Sequence, residues 1–390
     1  MSRICHVITR MNIGGAEENT LLTCLGLLAA GHEVTLVTGL SSGAEGDLLS
    51  LYDVGRLEVV TVPELVREIA PRRDLMAYRK LRRLFAARGF DVVHTHMSKA
   101  GVLGRLAASA AGVPLVCHTV HGLAFHAFQP RWKNLAYRLA ERVASRCSQR
   151  IYAVAESMIR QCVEAGVAPE EAFLLVRSGM VLEDFLTARR DVSLGASLGL
   201  SGDGDELVVG VMARMFPQKG YEDVLEAMPA LAQSFPGLRF LFLGDGDLRP
   251  ELERRIGAMG LTERVIMPGM VPPREVCRYL PFMSVLLHLS YHEGLPRTVV
   301  QALAAGVPAI AYPVDGTPEV LEDGVSGYLV PLRDTRQVAE KASALLRSPE
   351  LRRMMGEAGR AKVRELFSVE EMVRRLNDDY AAQLARLGRR

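Results

Sequence analysis

The sequence lacks long apolar runs and clustered cysteines. No apolar stretch reaches the ~18 residues that a membrane-spanning helix needs. None of the six cysteines forms a CxxC pair or a Cys/His cluster at zinc spacing, which favours reduced, mostly buried thiols. The start MSRICHVITRMNIGG becomes polar and glycine-rich too soon for a signal peptide. We therefore expect a cytoplasmic protein, with a peripheral position on the inner face of the cytoplasmic membrane as an option.

The composition is that of an ordinary globular protein, but the charge is unevenly distributed. Of 390 residues, 49% are hydrophobic and 24% are charged, and the length suggests two or three domains. The net charge of +2 conceals 16 Lys and Arg against 4 Asp and Glu between residues 65 and 150, with 31 against 41 elsewhere. Two interpretations stay open: a solvated helical surface, or a basic surface that meets anionic lipid headgroups or an anionic acceptor.

Short β-branched runs alternate with longer helical segments. The runs are continuously apolar, which is typical of strands buried on both faces of a parallel sheet. The predicted strands are RICHVIT, EVTLVTG, EVVTV, DVVHTH, PLVCHTV and RIYAVA in the first half, and ELVVGVMA, RFLFLG, RVIMPG, SVLLHLS and PAIAYP in the second. Helices are predicted between them, for example over Ala16–Ala30, Lys99–Ala111 and Tyr221–Gln233.

Both halves of the chain begin with the same order of features. Each has a strand, an Arg-Met pair, a polar turn with glycine and then a helix, in HVITRMNIGGAEENTLL and VVGVMARMFPQKGYEDVL. Such repeats imply right-handed βαβ units, so we predict an α/β protein with two Rossmann-like, doubly wound parallel-sheet domains that face each other across a cleft. We expect an N-terminal domain at 1–190, a linker at 191–205 and a second domain at 206–365. A C-terminal helix within 366–390 is expected to pack back on the N-terminal domain.

Polar residues just after strands are the candidates for a ligand site, because ligands of open parallel sheets bind beyond the carboxyl ends of the strands. Arg214 and Lys219 follow ELVVGVMA at a turn that opens a helix, an arrangement that suits a diphosphate. Gly244 opens a Gly-Asp-Gly turn after RFLFLG. There it either lets a ligand approach the backbone or only makes a tight turn.

The segment YHEGLPRTVVQALAAGVPAIAYP joins a turn to a predicted helix over Arg297–Ala305. Pro296 fits the first turn of that helix. Thr298 and Gln301 are three residues apart and share a helix face, whereas Glu293 lies in the turn before the helix. We expect Glu293 and Gln301 to bracket one extended ligand, with phosphates between them at the helix start. An ordinary surface cap is the plainer alternative.

Taken in order, these features resemble the family-4 glycosyltransferases, retaining enzymes with the two-domain GT-B fold. The resemblance covers most of the chain. It is carried by GGAEENTLL (14–22), VVHTHMSKAGVLGRLAA (92–108), HTVHGLAFH (118–126), GVMARMFPQKG (210–220) and EGLPRTVVQALAAGVPAIAYPVDGTPEVL (293–321).

The resemblance implies a role for each site residue. Arg214 and Lys219 would bind the donor diphosphate, Glu293 would contact the donor sugar, and His121 would lie near that sugar. The other substrate-binding residues implied are Gly14 and Gly15 near the diphosphate and acceptor, Gly294, Leu295 and Thr298 around the phosphates, Gln301 at the ribose, and Gly244 and Val271 beside the nucleotide.

Gln301 departs from the family pattern, which has Glu at both ends of a seven-residue gap. A carboxylate accepts hydrogen bonds from both ribose hydroxyls, whereas an amide accepts with its oxygen and donates with its nitrogen. Either group can hold a cis-diol, and Gln adds no negative charge beside a diphosphate. We expect the change to be compatible with activity.

Several histidines surround two neighbouring strand ends: His94, His96, His118, His121 and His126. Zinc would need a complete ligand set, and no Cys or carboxylate completes one. The family generally needs no metal, so no metal is expected. His121 is the functional candidate, and the others are expected to be structural or to face the acceptor.

The resemblance implies sugar transfer from a nucleoside diphosphate sugar to an acceptor hydroxyl, in the synthesis of cell-surface polysaccharide, lipopolysaccharide or glycolipid. The sugar nucleotide is a co-substrate, so no cofactor is expected, and neither is a nucleic acid partner. The expected partners are an acceptor glycan or lipid-linked glycan, with an anionic membrane surface as a further option. Two alternatives stay open: an epimerase or hydrolase on the same fold, and a sugar-nucleotide-binding protein without turnover.

Overall fold

A computed structural model describes residues 1–41, 46–125, 129–200 and 206–388. The chain divides into two units, one formed by 1–180 with 367–390 and the other by 181–366. The expected linker at 191–205 contributes a short helix at 192–197, and its residues 201–205 lie outside the described residues.

Unit 1 is built around a parallel sheet of seven strands in the order β3-β2-β1-β4-β5-β6-β7. The strands are β1 (Arg3–Ile8), β2 (Glu33–Thr38), β3 (Glu58–Thr61), β4 (Val92–His96), β5 (Leu115–Val120), β6 (Arg150–Ala153) and β7 (Phe173–Leu175). The helices between them are α1 (Gly15–Ala29), α2 (Pro71–Arg88), α3 (Ser98–Ala110), α4 (Arg131–Ser145) and α5 (Glu156–Glu164).

Unit 2 is built around a parallel sheet of six strands in the order β10-β9-β8-β11-β12-β13. The strands are β8 (Val208–Met212), β9 (Arg239–Leu243), β10 (Val265–Gly269), β11 (Val285–His288), β12 (Ala309–Ala311) and β13 (Gly327–Leu329). The helices are α6 (Glu183–Leu186), α7 (Val192–Ser197), α8 (Tyr221–Ser234), α9 (Arg249–Ala258), α10 (Val276–Tyr279), α11 (Arg297–Ala304), α12 (Thr317–Val320), α13 (Thr335–Arg347) and α14 (Pro349–Leu366).

The chain then returns to unit 1 with α15 (Val369–Arg386), which packs against α1. On unit 1, α2 packs on α3 and α3 packs on α4, so these three helices form one layer. The central strands β1, β4 and β5 are almost wholly buried, as their continuous apolar runs predict. The predicted α/β class with two doubly wound parallel sheets is confirmed.

Candidate functional site

In unit 2, the candidate residues lie on connections that leave the carboxyl ends of neighbouring strands. Lys219 lies in the connection from β8 to α8, and Glu293 lies in the connection from β11 to α11. The strands β8 and β11 are hydrogen-bonded neighbours, so both connections leave the same edge of the sheet. A backbone bond joins the connections directly, because Tyr291 N donates to Gln218 O at 2.9 Å.

Glu293 lies in a cluster of four polar side chains. Lys219 Nζ lies 2.6 Å from Glu293 Oε1. His288 Nε2 lies 3.4 Å from the same oxygen. His288 Nδ1 lies 3.1 Å from Thr298 Oγ1, so His288 joins the carboxylate to the first turn of α11. The structure thus brings together three of the sequence-predicted residues, Lys219, Glu293 and Thr298.

The electrostatics of this cluster keep Glu293 ionised. Burial alone would raise the pKa of the Glu293 carboxyl. His288 and the Lys219 ammonium outweigh that effect, so the pKa lies well below its usual value. Glu293 is therefore a carboxylate at neutral pH, and it can accept hydrogen bonds from hydroxyl groups.

Asp315, which follows β12, fixes the loop that carries Glu293. Its Oδ2 accepts a hydrogen bond from the backbone N–H of Glu293 at 2.8 Å and lies 2.7 Å from Nδ1 of His292. The hydrogen bond to Asp315 raises the pKa of His292, with burial acting in the opposite direction. A second backbone bond runs from Gly316 N to Gly294 O at 3.1 Å. The position of Glu293 is thus set by a third strand end.

Two residues that support this loop adopt a left-handed backbone without being glycine. Gln218 has φ of 74° and Asp315 has φ of 45°. Such conformations cost of order 1–3 kcal/mol and persist where the surroundings hold them in place. Gln218 accepts the hydrogen bond from Tyr291, and Asp315 holds His292 and Glu293. The strain is located at the two residues that position the cluster.

Arg214 lies on the same connection as Lys219 but points to a different neighbour. Its guanidinium carbon lies 5.2 Å from the centroid of the Phe216 ring, and the residue is exposed. Next to it, Met215 N donates to Asp245 O at 2.8 Å, which ties this connection to the Gly-Asp-Gly turn after β9. Backbone hydrogen bonds thus link the loops that follow β8, β9 and β11.

Gly244 has a structural reason to be glycine. Its φ is +138°, and a Cβ at this position would lie 2.1 Å from the carbonyl oxygen of Ala213. Its N–H donates to Gly269 O at 3.1 Å, which occupies that carbonyl at the end of β10. Val271 lies just beyond β10 and is half-buried. The tight-turn interpretation of Gly244 therefore has direct support.

The helix α11 begins beside the Glu293 cluster. It spans Arg297–Ala304 with Pro296 as its N-cap residue, and no side chain of the described residues caps it. Gly294 and Leu295 lead into it, with Leu295 buried. Gln301 is half-buried and lies one turn beyond Thr298. The first turn of α11 therefore offers backbone N–H groups close to a cluster of polar side chains.

In unit 1, three histidines form a hydrogen-bonded chain. The parallel register pairs His6 of β1 with His94 of β4. His6 Nδ1 lies 2.9 Å from Nε2 of His96, the last residue of β4, and His96 Nδ1 lies 3.0 Å from His121 Nε2. Burial lowers the pKa of His6 to about 3 and holds that of His96 well below its usual value. Both rings are therefore neutral.

The hydrogen bonds between the three histidines have a favoured direction, which we assign from the hydrogen-bond network. A neutral ring carries one N–H, so either every ring donates from Nδ1 or every ring donates from Nε2. No described residue is a hydrogen-bond partner of His6 Nε2, which is buried. An orphaned buried N–H costs more than an unused lone pair, so the Nδ1–H form is favoured. His121 then accepts a hydrogen bond at Nε2.

The remaining predicted histidines have separate partners. His94 Nε2 lies 2.7 Å from Thr119 Oγ1, and His94 Nδ1 pairs with the hydroxyl of Tyr380 on α15. His118 Nδ1 pairs with Thr95 Oγ1 at 2.9 Å. His126 lies outside the described residues.

His6, His94 and His96 offer ring nitrogens within 4.8 Å of one another, the spacing of a metal-ligand group. However, both nitrogens of His94 and both of His96 already have hydrogen-bond partners. A metal would have to displace those partners, and the donor set does not fit a resident ion well.

Gly14 and Gly15 open α1. Gly14 is the N-cap residue in extended backbone, and a Cβ there would lie 2.4 Å from Oε2 of Glu17. Glu17 is buried at the helix start, and its other oxygen lies 3.9 Å from Arg10 Nε. The space left by Gly14 is thus used by the Glu17 carboxylate, whereas Gly15 is exposed.

Sequence reasoning missed His6, His288, His292 and Asp315. His288 lies near the end of a predicted strand, SVLLHLS, and Asp315 follows another, PAIAYP, so the rule that sites follow strand ends could have found both. His6 lies inside a strand, and its place in the chain to His121 depends on the register with β4.

Comparisons with known proteins identify the family. The model of the "Glycosyl transferase 4-like domain" matches residues 14–176, and that of "Glycosyl transferases group 1" matches residues 200–362. The chain is 28% identical over 325 residues to the UDP-Gal:alpha-D-GlcNAc-diphosphoundecaprenol alpha-1,3-galactosyltransferase of Escherichia coli, covering 82% of each protein. It is 24% identical over 344 residues to the capsular polysaccharide biosynthesis glycosyltransferase CapM of Staphylococcus aureus, covering 86% of this chain and 88% of the relative.

A solved structure shares the fold. The crystal structure of Anabaena Alr3699/HepE in complex with UDP has a TM-score of 0.81 and 19% identity, covering 97% of this chain and 100% of that one. Together the family models account for most of the chain, one in each half. The chain belongs to the group 1, family-4 glycosyltransferases with the GT-B fold, which transfer a sugar from a nucleotide sugar.

Proposed function

We propose that this glycosyltransferase transfers a hexosyl group to an acceptor hydroxyl with retention of anomeric configuration and without a metal ion. The observation that carries the proposal is the cluster of Lys219, His288, Glu293 and Thr298 at the start of α11. It combines a cation for a diphosphate, a carboxylate for sugar hydroxyls and helix-start amides in one place.

The leaving group is the first requirement of the reaction. As the bond between the anomeric carbon and the diphosphate oxygen breaks, negative charge builds up on the diphosphate. We assign Arg214, Lys219 and the amides around Gly294, Leu295 and Thr298 to stabilise that charge. Fixed cations of the chain thereby do what a bound divalent ion would do, which is why we propose that the reaction is independent of metal.

The rest of the donor extends from the diphosphate in two directions. Glu293 is assigned to the hydroxyls of the transferred sugar, because it is an ionised acceptor held by Asp315 and Lys219. Gln301 is assigned to the ribose, since it follows Thr298 by one turn of α11. Gly244 and Val271 are assigned to the nucleoside through their backbone groups.

Unit 1 supplies the residues that the resemblance links to the sugar and acceptor. His121 is assigned to the transferred sugar as a neutral imidazole, which matches its place at the end of a chain of neutral histidines. Gly14 and Gly15 are assigned to the diphosphate and acceptor at the start of α1.

The bonds of the proposed reaction balance without a covalent enzyme intermediate. The anomeric carbon loses its bond to the diphosphate oxygen and gains a bond to the acceptor oxygen on the same face of the sugar. The proton of the acceptor hydroxyl passes to the departing diphosphate. The protein holds the reactants and stabilises the developing charge.

For the acceptor we propose a glycan carried on a lipid, used in cell-surface polysaccharide synthesis. The relative from E. coli is named for a diphosphoundecaprenol acceptor, and the relative from S. aureus is named for capsular polysaccharide. A lipid-linked acceptor lies at a membrane. We accordingly propose a peripheral position on an anionic membrane surface, which the charge between residues 65 and 150 favours.

The experiment is a transfer assay with a panel of nucleoside diphosphate sugars and a lipid-linked glycan acceptor, with and without EDTA. Nuclear magnetic resonance of the product reports the anomeric configuration. Retained configuration with an unchanged rate in EDTA supports the proposal. An inverted product, or loss of activity in EDTA that a divalent ion restores, contradicts it. Free sugar without transfer indicates a hydrolase, and donor binding without turnover indicates a binding protein.

A further inference from the structure

The helix α4 carries an exposed stripe of large apolar side chains. Trp132 is 68% exposed, Leu135 57%, Leu139 52% and Val143 52%. Their spacings of three, four and four residues place them on one face of the helix. Such a face is normally buried, so the exposed stripe indicates an interaction surface.

The opposite face of α4 is fixed to unit 1. Ala144 is buried, Tyr137 and Glu141 are half-buried, and the helix packs on α3. Glu141 bonds to the guanidinium of Arg105, a side chain that is itself wholly buried. This anchoring fixes the rotation of α4, so the apolar stripe faces solvent as a rigid feature of the fold.

The polar groups on the open side of α4 are basic. Arg131, Lys133, Arg138 and Arg142 are exposed, and Glu141, the one acid in the helix sequence, lies on the packed side. Lys133 Nζ lies 5.6 Å from the centroid of the Trp132 ring. The stripe is therefore flanked by cations that can bind phosphate groups while the apolar side chains leave water.

The neighbouring helices extend this charge. The helix α2 belongs to the same layer as α4 through α3. Its exposed cations are Arg72, Arg73, Arg79, Lys80, Arg82 and Arg83, against a single acid, Asp74, in the helix sequence. The excess of positive charge between residues 65 and 150 therefore lies largely on one helical layer of unit 1.

We infer that α4 docks on an anionic phospholipid bilayer, with its apolar stripe in the headgroup region and its arginines and lysine on lipid phosphates. An interfacial helix of this kind has an apolar face with Trp and Leu and Lys and Arg beside it, and it lies in the plane of the interface. No helix of the described residues is long and apolar enough to cross a membrane. The inference deepens the proposed lipid-linked acceptor, and the docking itself needs neither donor nor acceptor.

Charge argues against a second copy of the chain as the occupant. A symmetric dimer through α4 would place the same face of each copy together. Arg131, Lys133 and Arg142 of one copy would then approach those of the other, and like charges at an interface cost affinity. An anionic surface matches both the apolar stripe and the charges that border it.

The chain provides its own probe, because Trp132 is its single tryptophan. Fluorescence of the full chain is measured with vesicles of phosphatidylcholine alone and with phosphatidylglycerol added. We expect a blue shift, and quenching by brominated acyl chains, only with the anionic vesicles. High salt should weaken the binding, because it screens the charges. An emission spectrum that is unchanged with both kinds of vesicle would overturn the inference.

Variants separate the two contributions. Leu135→Ser with Leu139→Ser removes apolar area and keeps the probe, and we expect partitioning to fall at least about tenfold. Arg131→Gln with Arg142→Gln should weaken it by roughly 10- to 50-fold, at about 1 kcal/mol for each cation. The matched control is Met354→Ser with Arg336→Gln on unit 2, where Met354 is 55% exposed and Arg336 is also exposed. The control should bind like the wild type, and equal losses in all variants would contradict the assignment to α4.

Two further measurements distinguish a failure of the docking from a failure of the proposed function. Slow hydrolysis of the donor without acceptor should be unchanged in the Leu135→Ser/Leu139→Ser variant, since these residues lie outside the proposed donor site. If the vesicles bind but no donor is turned over, the proposed function fails and the docking stands. If sedimentation shows a dimer that Leu135→Ser/Leu139→Ser dissolves, and vesicles have no effect, the face is an interface between copies.

Discussion

Lys219 Nζ lies 2.6 Å from Oε1 of Glu293, although 74 residues separate them in the sequence. One is the proposed partner of the diphosphate and the other the proposed partner of the sugar. Without a donor they neutralise each other, and the pair is only partly exposed. In the proposed complex the diphosphate competes with Glu293 for the Lys219 ammonium. The two residues should therefore respond differently to substitution.

Removal of the negative charge of Glu293 should separate binding from turnover. In Glu293→Gln, Lys219 is released to the diphosphate, so we expect affinity for the free nucleoside diphosphate to stay equal or to rise. Turnover of the sugar donor should fall at least ~100-fold, because the sugar loses its carboxylate partner. Calorimetry of the nucleoside diphosphate and a steady-state transfer assay measure the two quantities. Equal losses in both would place Glu293 away from the sugar.

Asp315 should act through Glu293. Asp315→Asn keeps the size of the side chain but removes the charge beside His292, and its amide oxygen can still accept from the backbone N–H of Glu293. Asp315→Ala removes the acceptor as well. We expect a small loss of turnover in the first variant and a loss of roughly tenfold or more in the second, measured at saturating donor. Equal effects of the two variants would show that the backbone bond does not position Glu293.

The histidine chain in unit 1 should fix the tautomer of His121. In His96→Leu, Nε2 of His121 loses its donor, whereas in His96→Asn the amide nitrogen can replace Nδ1. The nitrogen chemical shifts of the His121 ring report its tautomer. We expect a mixture in His96→Leu and the Nδ1–H form in wild type and His96→Asn, with turnover recovering in the latter. Identical shifts in all three proteins would show that His96 does not orient His121.

The same buried histidines should make unfolding depend on pH. Burial lowers the pKa of His6, His94, His96 and His118 in the folded chain. In the unfolded chain a histidine has a pKa of about 6.5, so below that pH the unfolded chain binds more protons than the folded one. Their contribution to stability is therefore present above that pH and is lost as the pH falls through the range toward about 3, the pKa of His6. Each neutral histidine contributes up to about 1.4 kcal/mol per pH unit to this slope.

The measurement is the free energy of unfolding from urea titrations between pH 7.5 and 5. The wild type should lose stability steadily below about pH 6.5. His6→Asn removes one titrating group. The slope of the unfolding free energy against pH should therefore fall by the equivalent of about one bound proton, whatever the effect of the substitution on absolute stability. An unchanged slope in this variant would mean that His6 is not held neutral in the folded state.

Strong end signals let the sequence predict the helices of the site closely. The predicted helix over 297–305 corresponds to α11, Arg297–Ala304, because Pro296 starts it and Gly306 follows its end. The predicted helix over 221–233 corresponds to α8, Tyr221–Ser234. The strands β7 and β13 were missed. Each has three residues at a sheet edge, too short a run for periodicity to register.

The site itself could be predicted only as separate pieces. The positions of Lys219 and Glu293 after two strands were sufficient to choose them as candidates. Their mutual contact depends on β8 and β11 being neighbours, and the support from Asp315 depends on β12 being next in the sheet. The strand order of a parallel sheet is a long-range property, so the spacing along the chain does not contain it.

Gln301 should hold the ribose in place of the usual carboxylate. Loss of a neutral hydrogen-bonding group with its partners left unpaired costs about 1–3 kcal/mol, so Gln301→Ala should weaken nucleoside diphosphate binding by roughly 5- to 150-fold. Gln301→Glu should keep much of the activity. The comparison of ribose and 2′-deoxyribose donors decides the role. If Gln301→Ala keeps the full preference of the wild type for ribose, Gln301 does not bind that sugar.

The most direct test of the donor site is the affinity for a nucleoside diphosphate compared with its nucleoside, with the base of the donor that the panel selects. Calorimetry measures both on wild type, Arg214→Ala, Lys219→Ala and the exposed-cation control Arg336→Ala. Both ligands share base and ribose, so their difference isolates the diphosphate. We expect wild type and control to prefer the nucleoside diphosphate strongly, and Arg214→Ala and Lys219→Ala each to lose about tenfold or more of that preference while the affinity for the nucleoside is unchanged. A preference that both variants retain in full would contradict the assignment of the diphosphate to this edge of the sheet.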